Sequence, residues 1–194
     1  MISIIAIGLA VALSMPGTQG PQEELPGQDL GGYTLANLRL TNTEPLNSEF
    51  LRNRVFSMNN GDSYDSQLIK EGLEKIQRLY GDLGFIDFAY TPHLEINRDM
   101  RTISCSFEFI PGTRYSVNQI HVFGVESGED ESEIKSALNV KENMFFSPMF
   151  FDNDLKRLSG FLEARNLALK DYDFKRSPDH PGTVDISIRL QSKE

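Results

Sequence analysis

Apolar positions recur along the chain in two rhythms, and each rhythm occurs twice. Ile69, Leu73, Ile76 and Tyr80 form an i, i+4, i+7, i+11 stripe, which Phe151, Leu155, Leu158 and Leu162 repeat at an offset of 82 residues. Each stripe predicts an amphipathic helix that buries one face. Ile103, Cys105, Phe107 and Phe109 alternate with Thr102, Ser104, Ser106 and Glu108, the pattern of a strand with one covered and one wet face, and Val184, Ile186, Ile188 and Leu190 repeat it at an offset of 81. Leu38 and Leu40 fall on Ile120 and Val122 at 82, Leu51 and Val55 on Ile134 and Leu138 at 83, and Gly84-Phe85 on Asn166-Leu167 at 82. The offset slips only in connecting loops, so the chain carries two copies of one module.

Within each copy the order is strand, short helix, long helix, strand, strand. Tyr33 to Leu40 and Val117 to Val125 have apolar residues near period two and few good helix formers, which predicts the opening strands. The short helices are expected to start near Asn47 or Ser48, burying Leu51 and Val55, and near Ser127 to Ser132, burying Ile134 and Leu138. Ser147-Pro148 supplies a cap and a first-turn proline for the second long helix, and Ser63 or Asp65 can cap the first. Four residues past each stripe stand Gly84 and Asn166, the residue types that best tolerate a left-handed backbone. Two strands follow: Phe85 to Ile96 and Thr102 to Phe109, then Leu167 to Phe174 and Thr183 to Leu190. Pro92 removes a ladder donor from the penultimate strand of the first copy, which marks a sheet edge. The expected fold class is α+β: two tandem β-α-α-β-β modules, residues 33–112 and 113–192, each a three-stranded mixed sheet covered on one face by two helices.

Composition changes this picture little. A net charge of −9 disfavours electrostatic binding of nucleic acid or of an anionic membrane surface. Residues 2–14 form an uncharged apolar run too short to span a membrane, ending in Ala12-Leu13-Ser14, a small-x-small pattern. Residues 1–14 are therefore read as a secretory signal peptide cleaved near Ser14; because no Lys or Arg precedes the run, a misplaced start codon or an N-terminal membrane anchor are alternatives, and a buried strand is a further one. Residues 15–32, rich in Pro, Gly, Gln and acidic residues, read as a flexible linker. Cys105 is the single cysteine, which excludes an internal disulfide and any multi-thiolate site.

Residues that carry chemistry are sparse. His93, His121 and His180 lie in no metal-ligand spacing, no glycine-rich phosphate loop occurs, and Asp152-Asn153-Asp154 lacks the glycine and distal glutamate of a calcium loop. The acids at 126, 129, 130, 131 and 133 suit a helix N-terminus. No cofactor, metal or enzymatic activity is expected.

The module order, the YGDLGF segment at 80–85 after an amphipathic helix, and FEFIPGTRYSVNQIHVFG at 107–124 resemble POTRA (polypeptide-transport-associated) modules of the BamA/TamA outer-membrane assembly family. There, one module commonly ends in V-x-I-x-EG and the next begins Y-x-V-x-x-I-x-x-x-G. Here Ile110-Pro111-Gly112 departs from the first phrase, while Tyr115, Val117, Ile120 and Gly124 fit the second. The resemblance spans residues 33–190 and implies a periplasmic array, associated with the outer membrane, that handles unfolded outer-membrane proteins or partner subunits of an assembly complex. It also implies a C-terminal β-barrel, which this sequence does not include, and a last strand placed between the other two. Client capture is then expected by β-augmentation along the penultimate strands, at Phe85, Ile86, Asp87, Phe88, Ala89 and Tyr90 and at Leu167, Ala168, Leu169 and Lys170. The alternative is a non-catalytic scaffold or spacer in an envelope division or secretion complex.

Overall fold

The computed structural model describes residues 11–12, 30–125 and 128–192; the expected signal peptide, apart from Val11 and Ala12, and residues 15–29 of the expected linker lie outside them. The chain divides into two compact units, one holding the residues up to Tyr80 together with Asp87–Gly112, the other Gly81–Ile86 and the residues from Thr113 onward.

In the first unit β1 (Val11–Ala12) precedes β2 (Thr34–Thr41), α1 (Ser48–Arg54), α2 (Ser66–Asp82), β3 (Ala89–Asn97) and β4 (Thr102–Ile110). The Asn47 side chain accepts from the Phe50 amide at 3.0 Å and starts α1. Asp65, rather than Ser63, caps α2 by accepting from the amides of Gln67 and Leu68. The sheet order is β1-β3-β4-β2, with β2 parallel and β3 antiparallel to the central β4. Ile69, Leu73, Ile76 and Tyr80 are buried, as are Leu38, Cys105, Phe107 and Phe109 of the sheet, and Tyr80 meets Phe109 edge-on at 5.9 Å. Tyr80 stacks on Phe88 at 4.3 Å and gives its hydroxyl proton to the Thr43 carbonyl.

The second unit repeats this plan with β5 (Ser116–Phe123), α3 (Gly128–Ala137), α4 (Pro148–Glu163), β6 (Leu167–Arg176) and β7 (Thr183–Ser192), in the sheet order β5-β7-β6. Ser147 caps α4 and Pro148 occupies its first turn. Phe151, Leu155, Leu158 and Leu162 are buried with Val184, Ile186, Ile188 and Leu190. Gly84 and Asn166 both have positive φ, 94° and 57°. The repeat thus preserves a backbone conformation while the residue changes. Both sheets are mixed with the last strand of the module inside, as expected; the second has the expected three strands, whereas in the first β1 adds a fourth by pairing with the outer side of β3 at Tyr90 and Ala89.

One boundary differs from the sequence reading. The penultimate strand of the first copy begins at Ala89 rather than Phe85; residues 86–87 form a turn. Phe88, only 2% exposed, leaves that turn to pack on Tyr80 and Phe109 before the chain enters the sheet.

Candidate polypeptide-binding edges

Which backbone groups an edge offers follows from strand alternation, because a strand's side-chain direction and its hydrogen-bonding direction share one period of two. The Phe107 carbonyl faces β2, where it accepts from the Thr41 hydroxyl. The inward-facing residues of β4 therefore bond to β2, and Thr102, Ser104, Ser106, Glu108 and Ile110 bond to β3. Their antiparallel partners on β3 are Asn97, Glu95, His93, Thr91 and Ala89. The backbones of Tyr90, Pro92, Leu94 and Ile96 accordingly face the opposite edge. Pro92 sits where its missing N–H costs the sheet nothing and removes one donor from the edge. Tyr90 is the residue that meets Val11, with Ala12 opposite Ala89. On β6 the same alternation turns Leu169, Tyr172 and Phe174 outward, and a register shift falls between Leu169 and Asp171, at Lys170.

The ten expected contact residues therefore fall into different settings. Ala89 and Tyr90 stand in β3, and Leu167, Ala168, Leu169 and Lys170 in β6. Phe85, Ile86, Asp87 and Phe88 precede β3 and belong to no strand, so they offer no ladder groups as a strand would. Phe85 lies 6.0 Å from the Arg114 guanidinium, Ile86 packs on the core of the second unit, and the Asp87 side chain lies beside Gly112. Tyr90 packs edge-on against Phe107 at 5.9 Å, and burial, then the charge of Glu74, raises its pKa.

In the second unit the structure adds aromatic groups that the stripe pattern did not single out. Tyr172 is 42% exposed, packs edge-on against Phe151 at 5.6 Å and donates its hydroxyl proton to Asp152 at 3.1 Å. Phe145 and Phe150 are exposed although their neighbours Phe146 and Phe151 are buried. The available signal was two Phe-Phe pairs of which the helical stripe and core can absorb only one member each. Asp154 also differs from expectation. It is 2% exposed and its carboxylate accepts from the amides of Asn139 and Val140 at 2.6 and 2.7 Å, from the Asn139 side chain and from Arg157. It fastens the loop between α3 and α4.

Among the described residues no group of three or more His, Cys, Asp or Glu side chains is placed to hold a metal. Glu131 and Glu133 from the acidic run pair with Lys135 and Arg165. Burial pushes the Cys105 thiol up to about 12, so it carries no thiolate at neutral pH.

Comparison with known proteins bears on the modules that carry these edges. The POTRA family model, described as surface antigen variable number repeat, matches residues 33–112. The first module is a POTRA domain. The POTRA3-5 region of BamA from Haemophilus influenzae shares the fold at a TM-score of 0.60 and 18% identity, over 84% of this chain and 61% of that one. BamA from Haemophilus ducreyi lacking POTRA domains 1-3 does so at 0.62 and 20%, over 83% of this chain and 30% of that one. The match exceeds one module in length, so the fold shared with these structures extends to the second copy. This chain spans less than two thirds of either relative. No curated protein matches it. Among the described residues no helix is long and apolar enough to cross a membrane.

Proposed function

We propose that this tandem POTRA chain is the periplasmic, polypeptide-transport-associated region of an outer-membrane protein assembly or translocation factor. In this reading residues 1–14 act as the export signal, residues 15–32 as a linker, and residues 33–112 and 113–192 as the two working modules. Clients or partner subunits bind by adding an extended strand to the outer edge of β3 or β6. The observation that carries the proposal is the pairing of Val11 and Ala12 with Tyr90 and Ala89, an instance of this side of β3 accepting a further strand from residues that precede the module. The outward backbone groups of Leu169, Tyr172 and Phe174 offer the same chemistry on β6. Main-chain pairing demands no particular client sequence, which suits a receptor for many unfolded chains.

Proline at Tyr90 or Phe174 removes an outward donor without removing a bond to the sheet's central strand. Each variant is expected to weaken capture of an immobilised barrel-derived peptide by at least about tenfold while the far-ultraviolet spectrum is retained. Capture equal to the parent in the double variant would overturn the proposal.

A further inference from the structure

The two modules differ at their opposite sheet edges, on β2 and β5. In both, the edge begins in the same way: the Leu35 amide donates to Asp62 and its carbonyl accepts from Gly61, as the Val117 amide donates to Met144 and its carbonyl accepts from Asn143. Leu35 and Val117 thus point away from the central strand. Leu38 and Leu40, and their counterparts Ile120 and Val122, have side chains on the same buried face and so present their backbone groups to the same outer edge.

In the second module carboxylates close this edge. Glu142 accepts from the Ile120 amide at 3.4 Å. Glu131 lies lower in pKa chiefly through its hydrogen bond with and the charge of Lys135, and also through the Val122 amide. The repeat offsets put Asn60 where Glu142 stands, Ser48 where Glu131 stands and Arg52 where Lys135 stands. Neither position of the first module carries a carboxylate, and there a groove of about 450 Å3 opens instead. It is lined by the β2 residues from Asn37 to Leu40 and by Ser48, Glu49, Arg52 and Asn53 of α1. Arg39 and Arg52 are exposed and form no ion pair among the described residues.

We infer that the Leu38–Leu40 edge of the first module is a second docking site, and that its occupant is an extended acidic polypeptide segment. Such a segment pairs with the outward amides and carbonyls of Leu38 and Leu40 while its carboxylates meet Arg39 and Arg52. The second module indicates the chemistry, because the groups it places on the equivalent amides are carboxylates. It also explains the asymmetry: one module satisfies its own edge, and the other leaves the edge to a ligand.

The test uses the full chain and two peptides of about ten residues, one alternating valine with glutamate and one valine with lysine. The acidic peptide is expected to shift the Leu38 and Leu40 amide resonances and slow their exchange, and to bind at least about tenfold more tightly than the basic one. Ser48→Glu, which copies Glu131 and sits in a helical first turn that favours an acid, should abolish those shifts, whereas Ser48→Ala should retain them. Arg52→Ala should remove the preference for the acidic peptide. Equal binding of both peptides, or undiminished shifts in a folded Ser48→Glu protein, would overturn the inference. Shifts confined to β3 and β6 would overturn it too while leaving the first proposal standing; shifts at β2 alone would do the reverse.

Discussion

A single backbone conformation accounts for the constraint at position 84. At Gly84 φ is 94°, and an added Cβ would come within 3.1 Å of the carbonyl oxygens of Phe146 and Tyr115. Neither neighbour is a flexible side-chain end that can swing away. Gly84→Val should therefore cost about 1–3 kcal/mol, read as a lower denaturant midpoint, and an unchanged midpoint would reject the account. Asn166→Gly, at the equivalent turn, should be near neutral. The turn was legible from sequence because glycine and asparagine share one conformational tolerance. Asp154 was not, because an acid near a helix start looks the same whether it faces water or a neighbouring loop. Its carboxylate satisfies two loop amides, so Asp154→Ala should destabilise the protein by about 2–4 kcal/mol in urea unfolding, with Asp154→Asn recovering part of that loss.

At the scale of elements, the long helices and last strands were readable because burial forces strict periodicity on them. All eight positions of the two stripes and all eight inward positions of β4 and β7 are buried. Helix starts were readable where a cap has one partner. Ser147 accepts from the Phe150 amide, so Ser147→Ala should cost about 1 kcal/mol, whereas substitution of exposed Ser159, outside any cap, should change the melting temperature little. The start of β3 was misread because Phe88 continues the apolar alternation of the strand while serving the core from a turn. The expected site shrank accordingly in the first module, from six residues to Ala89 and Tyr90. The second edge stayed invisible for a different reason: its openness depends on the reach of Glu131 and Glu142 across space, which no spacing along the chain encodes.

Across the whole molecule both units bury titratable groups, Tyr115 and Asp154 in the second among them. Tyr64, Tyr80 and Cys105, all in the first unit, are each pushed up to about 12, chiefly by burial, with the charges of Cys105 and Asp65 adding to the rise at Tyr64. Folded values above the unfolded ones mean that the fold favours the neutral forms. That stability is complete below about pH 9 and is lost as pH rises through about 12. Ionisation of Tyr80 also removes the proton it gives to Thr43. The first unit should thus lose its amide dispersion as pH rises toward about 12, with tyrosinate absorbance rising in the same step; dispersion retained after that rise would contradict this.

The central claim is that exposed sheet edges, rather than helices or a cleft, receive polypeptide. Amide chemical-shift mapping of the full chain with a barrel-derived peptide, taken to about 1 mM, addresses it most directly. The account predicts shifts concentrated on the outward amides of β3 and β6: Tyr90, Leu94 and Ile96, and Leu169, Tyr172 and Phe174. Shifts confined to the helices, or none at that concentration, would contradict it.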